Sequence, residues 1–181
     1  IIYTSDHACH FRTRADEYKR TCHESSLRIP CIIRGPGFRG GVTRDELVSL
    51  IDLPPTVVTA GGVTPPDAMQ GRPLQQLADG SAVDWQDDVF AQISENSVAR
   101  AVRTRRWKYC VTAPDAHPSC DAGAAEYRES HLYDLAYDPH EQNNLVADPA
   151  RADVRADMAE RLRRRMRQAH EDIPEILPAT H

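Results

Sequence analysis

The sequence predicts an α/β protein in which core strands come first and a small antiparallel sheet, packed with a C-terminal helix, follows. Two apolar runs, at residues 1–4 and 31–33, have the composition of buried strands. From residue 88 onward, strand-like segments are separated by short polar turns. Near the end of the chain, apolar residues recur every four positions, as they do on one face of a helix.

The composition restricts the class of protein. Of the 181 residues, 40% are hydrophobic and 27% are charged, which is typical of a globular protein with a core. The formal net charge of −5 argues against nucleic acid as a partner, because phosphate binding depends on excess positive charge. No apolar stretch is long enough to span a membrane. We therefore expect neither nucleic acid nor a membrane as a partner, and the compartment and oligomeric state stay open.

The first part of the chain predicts two core strands joined by a loop. Residues 1–4 are expected to form a buried strand of the parallel type. Residues 8–27 are polar and are expected to form a loop with a short helix near residues 18–26. A second strand is centred on residues 31–33, and the Gly-Pro-Gly turn at residues 35–37 ends it.

A short helix is predicted at residues 55–60. Asp52 is a candidate N-cap, prolines stand at the first turn, and Gly61-Gly62 close the element. Residues 63–82 are rich in proline and glycine and are expected to form an extended connection.

The second part predicts a small antiparallel sheet covered by a helix. The strand-like segments are "VFAQIS", "VARAVRTRRWKYCV" and "HLYDLAYD", with turns at Glu95-Asn96 and Arg105-Arg106. A helix is then predicted from about residue 149 to 171, with Asp148 as N-cap and proline at its first position. Its apolar stripe, which we expect to lie on the sheet, consists of Val154, Met158, Leu162 and Met166.

The cysteines do not predict a disulfide framework or a metal site. Their number is odd and no CxxC pair occurs; they are Cys9, Cys22, Cys31, Cys110 and Cys120. The neighbours Cys9-His10 and Cys22-His23 suggest zinc, but structural zinc sites use ligand pairs two to four residues apart. We expect unpaired thiols.

Asp6 and His7 stand where the first strand breaks into a loop. Within a strand, neighbouring side chains point to opposite faces, whereas at the end of a strand both can turn to one point. Ligands of open α/β sheets bind beyond the carboxyl ends of the strands. A carboxylate oxygen and an imidazole nitrogen form half of a divalent-metal site, although such pairs also occur as plain strand caps.

Two further residues extend this candidate site. Lys19 adds a point charge that suits an anionic group, and His10 offers a proton or a hydrogen bond. Only one other lysine, Lys108, occurs among 22 lysines and arginines. Together these residue types predict a site for a metal ion and an anion.

Several motifs in order resemble a known family. The segment "TSDHACHFRTRADEYKRTCHESSLRIPCIIRGPGF" is similar to "SDHG…YKRT…E…R-[IV]-P…GPG" of formylglycine-dependent sulfatases in the alkaline phosphatase superfamily. The similarity continues with "LVSLIDLPPTVVTAGGV" and "MQGRPL", and then with "RAVRTRRWKY" and "LYDLAYDPHEQNNL", which resemble the closing sheet of these enzymes. It covers nearly the whole chain and implies an alkaline-phosphatase-like mixed sheet for the first part.

The resemblance implies roles for individual residues. Asp6 matches the family's late metal-ligand aspartate, and His7 matches the neighbouring Asn or His that also faces the metal. Lys19 matches the lysine that contacts the sulfate oxygens. His10 falls in the loop near the substrate, where we expect a substrate contact. One divalent metal ion is implied, Ca²⁺ ahead of Mg²⁺, because the site is hard and rich in carboxylates.

Other matched residues are expected to be structural. Glu24 and Arg28 fit the "E…R-[IV]-P" frame, where we expect an ion pair that holds the loop. Tyr133, Asp134 and Asn143-Asn144 belong to the closing-sheet frame.

Two features depart from the family pattern. Ala8 stands where the family usually has Gly, and it costs about 1 kcal/mol if the position requires a positive φ. Neither the Cys-x-Pro-x-Arg motif that yields formylglycine nor the early Asp-Asp metal pair occurs in the chain. We expect both in an N-terminal half, so that this chain is the C-terminal part of a larger enzyme and is inactive alone.

The resemblance therefore implies a sulfatase that hydrolyses a sulfate ester of a small molecule or carbohydrate. Residues 1–82 would be the C-terminal part of the catalytic domain, and residues 83–181 a subdomain of antiparallel sheet and helix. One alternative is a phosphodiesterase or phosphonate monoester hydrolase of the same superfamily, because tetrahedral anions differ little in shape. Another is a catalytically dead fragment or a binding module.

Overall fold

The computed structural model describes residues 1–180, which form two compact units. The first unit comprises Ile1–Asp6 and Ile29–Val89. The second comprises His7–Arg28, called the 7–28 segment below, together with the chain from Phe90 onward.

The first unit contains two short paired strands. Strand β1 (Ile2–Thr4) runs antiparallel to β2 (Cys31–Ile33), with Tyr3 opposite Ile32. Both strands lie where the sequence predicts them. The expectation of a buried, parallel-type strand is wrong for β1, because its partner is antiparallel and the two-stranded sheet leaves Tyr3 62% and Ile32 64% exposed.

Helix α2 confirms the predicted helix of the first unit. It spans Leu53–Ala60, begins two residues earlier than predicted and follows a 3₁₀ turn at Leu50–Asp52. Asp52 is fully buried, and its carboxylate does not cap α2. It accepts hydrogen bonds from the backbone N–H groups of Ser49 and Arg72 instead, each at 2.8 Å. Asp52 thereby joins the start of α2 to a segment twenty residues later.

A further short helix (Gln75–Ala78) lies within the stretch for which the sequence predicts an extended connection, and that prediction is wrong for these four residues. The start of this helix, α3, is fixed by contacts with α2. The backbone N–H of Leu74 donates to Thr56 Oγ1 at 2.9 Å, and the Gln75 side-chain amide donates to the Thr56 carbonyl at 2.9 Å. Tertiary contacts therefore decide the local structure of α3.

The five-stranded sheet has its strands in sequence order. They are β3 (Asp88–Ile93), β4 (Val98–Thr104), β5 (Trp107–Ala113), β6 (Glu126–Asp134) and β7 (Glu175–Leu177). The predicted antiparallel pairing holds for β4 with β5 and for β5 with β6. The short β7 adds a parallel edge to β6, which the sequence does not predict because three residues give no detectable alternation.

Helix α4 packs on one face of this sheet, as predicted. It spans Ala152–Gln168 after a 3₁₀ turn at Pro149–Arg151, and the Asp148 carboxylate accepts the N–H of Ala150 at 2.9 Å, as an N-cap does. The buried members of its apolar stripe join one core cluster with the sheet; they are Met158, Leu162 and Met166. Within residues 1–180, no helix combines the length and the apolar composition that a membrane span requires.

The 7–28 segment covers the opposite face of the sheet. On β5, Tyr109 and Val111 belong to the core on the helix side, whereas Cys110 packs in a separate cluster with Cys22 of the segment. The segment contains one short helix, α1 (Glu24–Leu27), where the sequence predicts one near residues 18–26. The sheet is thus a two-sided platform, with a helix on one face and a loop on the other.

Gly71 marks a close approach of two backbones in the first unit. A Cβ atom on this residue would lie 1.9 Å from the carbonyl oxygen of Ile51. Only glycine fits there, and the adjacent Arg72 N–H reaches the Asp52 carboxylate as a result.

Gly71→Ala is expected to lower the free energy of unfolding by about 1–3 kcal/mol, as overpacking of a closed site does. The contacted atom belongs to the backbone and cannot rotate away. Denaturant unfolding of the purified protein measures the change. Gly123→Ala is the control, because a Cβ there meets only side-chain atoms at 3.4 Å or more. Equal losses in the two variants would contradict this role of Gly71.

Candidate active site

The 7–28 segment carries three of the four predicted site residues. His7, His10 and Lys19 all belong to the second unit. Asp6 belongs to the first unit and lies two residues beyond the end of β1. Asp6 stays a predicted metal ligand.

The His7 ring and the Lys19 ammonium group lie in contact. His7 Nε2 is 3.3 Å from Lys19 Nζ, and His7 Nδ1 is 2.8 Å from the carbonyl oxygen of Ala8. Because a carbonyl oxygen only accepts and an ammonium group only donates, Nδ1 carries the proton and the Nε2 lone pair faces Lys19 Nζ. Metal-binding histidines commonly hold one ring nitrogen on a backbone carbonyl and turn the other to the metal. The tautomer of His7 therefore fits the role of a metal ligand.

Lys19 is held beside this ring by an aromatic neighbour. Its Nζ atom lies 5.4 Å from the centre of the Tyr18 ring, which meets the His7 ring edge-on at 6.0 Å between centroids. Lys19 is only partly buried. The cluster thus places an accessible ammonium group next to a nitrogen suited to a metal ion, which is the arrangement that a metal-bound oxyanion requires.

His10 is positioned by its backbone and buried by its surroundings. Its N–H donates to the Tyr18 carbonyl at 2.9 Å, and its own carbonyl accepts the Thr13 hydroxyl at 2.6 Å. The side chain is 2% exposed, and neither ring nitrogen has a hydrogen-bond partner within residues 1–180. Its predicted substrate contact stays a prediction.

Ala8 introduces no backbone strain where the family has glycine. The residues of this loop with positive φ are Phe11 and Arg12, at 52° and 60°, and Ala8 is not among them. The Ala8 N–H donates to the Ser26 carbonyl at 2.8 Å, which closes the segment across its base. Alanine is therefore compatible with the backbone conformation that carries His7.

Lys108 is fully buried and anchors the 7–28 segment to β5. Its Nζ atom is 2.6 Å from Glu24 Oε1 and 2.7 Å from Glu141 Oε1. Glu141 is also buried, and its second carboxylate oxygen accepts the backbone N–H of Glu24 at 2.7 Å. One ammonium group thus joins the start of α1, strand β5 and the loop after β6.

The charges of this anchor are balanced by a fourth group. Arg103 Nη2 lies 3.3 Å from Glu24 Oε2. Burial pushes the pKa of Glu24 upward, but the charges of Lys108 and Arg103 outweigh it and hold this pKa below its ordinary value. The prediction that Glu24 pairs with Arg28 is wrong. Arg28 is exposed at the end of α1, whereas Glu24 faces the sheet and pairs with Lys108.

A second buried contact lies beside the anchor. His23 Nε2 is 3.1 Å from the hydroxyl of Tyr133, and both residues are buried. Burial, followed by the positive charge that His131 can carry, lowers the pKa of His23 to about 3, so the ring is neutral near pH 7. Tyr133 thus has the structural role expected from the closing-sheet motif.

Asn144 ties the loop after β6 back to that strand. Its Oδ1 atom accepts the N–H groups of Leu132 and Val146 at 3.0 and 3.1 Å, and its Nδ2 atom donates to the Ser130 carbonyl at 2.8 Å. This loop carries Glu141, so Asn144 positions one carboxylate of the anchor. Its role is structural, as expected.

Sequence reasoning does not identify the anchor, although one signal points to it. Lys108 and Glu141 are far apart in sequence, and each alone is an ordinary surface residue type. The useful signal is that the chain has only two lysines. One of them lies in the candidate site and the other beneath the segment that carries it.

The sequence matches one protein family over most of its length. The family described as "N-sulphoglucosamine sulphohydrolase, C-terminal" matches residues 16–168. Among curated proteins, arylsulfatase K of Mus musculus is 27% identical over 158 residues, which are 82% of this chain and 27% of that relative. The chain thus spans about a quarter of the length of the curated relatives it matches first.

Solved structures share the fold. A putative sulfatase from Bacteroides thetaiotaomicron has a TM-score of 0.77 at 22% identity and covers 94% of this chain and 36% of its own. A protein in complex with its substrate D-glucosamine-2-N,6-O-disulfate has a TM-score of 0.74 at 24% identity, covering 96% and 35%. The phosphonate monoester hydrolase of Agrobacterium radiobacter has a TM-score of 0.70 at 29% identity, covering 94% and 35%.

Lys108→Met is expected to lower the free energy of unfolding by about 3–5 kcal/mol, because two carboxylates would lose their buried counter-charge. Thermal unfolding of the purified protein measures the change. Lys19→Met is the matched control, since it removes the other lysine, which is partly exposed. A loss for Lys108→Met no larger than that of Lys19→Met would contradict the anchor.

Proposed function

The chain belongs to the family of N-sulphoglucosamine sulphohydrolase C-terminal regions, and we propose that the whole protein is a sulfatase that hydrolyses a sulfate ester. The observation that carries the proposal is the contact between His7 and Lys19 on the anchored 7–28 segment. The Nε2 lone pair of His7 faces Lys19 Nζ; if a metal ion took this lone pair, the ammonium group would lie beside the ion and could turn to a sulfate oxygen bound to it.

Each residue of this site has a separate role in the proposal. Asp6 and His7 are metal ligands, and Lys19 donates to the sulfate oxygens and offsets the charge that develops on them. His10, which is buried in this structure, contributes a contact to the substrate. Formylglycine, in the N-terminal half, would supply the nucleophile.

Calcium is the proposed metal ion, with magnesium as the second choice. A carboxylate from Asp6 is a hard oxygen ligand, and further carboxylates would come from the N-terminal half. The His7 nitrogen adds one borderline ligand, which the proton on its Nδ1 atom orients. In the same proposal, residues 1–82 complete the catalytic domain and residues 83–181 form the subdomain that supports it.

The proposed substrate is a sulfated small molecule or carbohydrate. One structural neighbour is described in complex with its substrate, D-glucosamine-2-N,6-O-disulfate. A sulfated sugar of this kind offers the tetrahedral anion that Lys19 and a metal ion would hold. We propose this substrate class first for screening.

Phosphonate monoester hydrolysis is the second candidate function. It is favoured by the 29% identity with the Agrobacterium radiobacter enzyme, which exceeds the 22% and 24% identity of the other two structures named above. Sulfate and phosphonate groups are both tetrahedral anions, so the same cation suits both. The ratio of kcat/KM for an aryl sulfate and a phosphonate monoester, measured on one full-length preparation, distinguishes the two.

Lys19→Ala in the full-length protein is expected to lower kcat/KM for a sulfate ester by about two to three orders of magnitude, because a cation that stabilises the transition state is lost. Steady-state kinetics measure the effect. Arg12→Ala removes an exposed cation of the same loop and serves as the control. A Lys19→Ala rate within a few-fold of wild type would refute its role.

Asp6→Ala and His7→Ala are each expected to reduce the divalent metal bound per chain of the full-length protein, since each removes a ligand. Elemental analysis after dialysis against limiting Ca²⁺ measures the stoichiometry. Asp16→Ala, at an exposed carboxylate of the same segment, should keep the wild-type metal content. Unchanged metal in both ligand variants would count against the site.

A further inference from the structure

Three side chains able to bind a metal meet on the sheet face that the 7–28 segment covers. The Sγ atoms of Cys22 and Cys110 and a ring nitrogen of His131 all lie within 4.8 Å of one another. Cys22 comes from the 7–28 segment, Cys110 from β5 and His131 from β6. This group takes no part in the proposed sulfatase chemistry, and it unites residues that are up to 109 positions apart.

The spacing of these atoms suits a tetrahedral zinc ion. Cys22 Sγ lies 4.0 Å from His131 Nδ1. With Zn–S near 2.3 Å and Zn–N near 2.0–2.1 Å, a tetrahedral site sets sulfur and nitrogen ligands about 3.6 Å apart. Small rotations of the side chains, without movement of the sheet, would bring the ligands to this distance.

The surroundings favour a soft metal ion over solvent. Cys22 is 3% and Cys110 2% exposed, and their neighbours are the apolar Ile93, Ala99 and Ala101. Two thiolates, a neutral imidazole and Zn²⁺ carry no net charge together, so burial of the loaded site leaves no unbalanced charge. His131 is only partly buried, which leaves a path for the ion and a fourth position for water.

The two thiols influence each other. Each is the first cause of the other's pKa shift, which is upward for Cys22 and downward for Cys110. His131 Nδ1 also lies 3.1 Å from the Ser130 hydroxyl, a side-chain contact that can be exchanged for a metal ion without breaking a backbone hydrogen bond.

We propose that Cys22, Cys110 and His131 form a zinc site that fastens the 7–28 segment to β5 and β6. Zn²⁺ binds the two sulfurs as thiolates and His131 as neutral imidazole, and the thiol protons pass to solvent. The site would lie two residues from Glu24 along the chain, so zinc and the Lys108 anchor would hold adjacent points of one segment. The role is structural and independent of the identity of the substrate.

Elemental analysis of the full-length protein tests the proposal. The protein is expressed with zinc, dialysed against metal-free buffer with a thiol reductant, and its zinc per chain is measured. We expect one zinc ion in the wild type, in Asp6→Ala and in Cys120→Ser, which alters an exposed cysteine. We expect at least a hundredfold weaker zinc binding in Cys22→Ser and Cys110→Ser. The Asp6→Ala variant separates this ion from any metal in the proposed catalytic site.

Cobalt substitution of the wild-type protein avoids variants that fail to fold. Co²⁺ bound here should give the sulfur-to-cobalt charge-transfer absorption that only a thiolate ligand produces. Wild-type protein without zinc and without this absorption would overturn the proposal, as would equal zinc in wild type and both cysteine variants. A Cys22–Cys110 disulfide found by mass spectrometry of the unreduced protein would also overturn it.

Discussion

The structure of the second unit depends on one buried ammonium group. Lys108 is fully buried on this face of the sheet, and its Nζ atom lies 2.6 Å from Glu24 Oε1 and 2.7 Å from Glu141 Oε1. Such a group is stable only while all of its counter-charges stay in place. The 7–28 segment is mostly irregular, so buried polar contacts with the sheet, led by this ion pair and the contact of His23 with Tyr133, position the segment that carries His7 and Lys19.

The family motifs are explained largely by two buried polar nodes, one in each unit. In the first unit, Asp52 accepts backbone N–H groups from Ser49 and Arg72, which links the "LIDLPPT" and "GRPL" motifs. In the second, Glu24, Lys108 and Glu141 link "E…R-[IV]-P", "RRWKY" and "LYDLAYDPHEQNNL". Loss of Asp52, Lys108 or Glu141 from these motifs would leave a buried polar group unpaired.

Local sequence patterns predicted those helices and strands whose apolar residues face a single core. The period of four in α4 and the alternation in β4 to β6 follow from side chains that face one core, so they are visible in sequence. The start of α3 and the direction of β1 depend on Thr56 and on a strand 29 residues later, and no local pattern records such partners. Residue types alone placed His7 and Lys19 in one candidate site, and the family resemblance assigned their roles, but neither predicted their direct contact. The meeting of Cys22, Cys110 and His131 depends on the register of three distant elements, which spacing in sequence does not reveal.

The central claim is that the Lys108 anchor positions the loop of the candidate active site. Hydrogen exchange of the full-length protein and its Lys108→Met variant tests this most directly, at the amides of Ala8 and His10, which are bonded to Ser26 and Tyr18. The account predicts that both amides lose protection in the variant while those of β4 and β5 keep it. Unchanged protection at Ala8 and His10 would contradict the account.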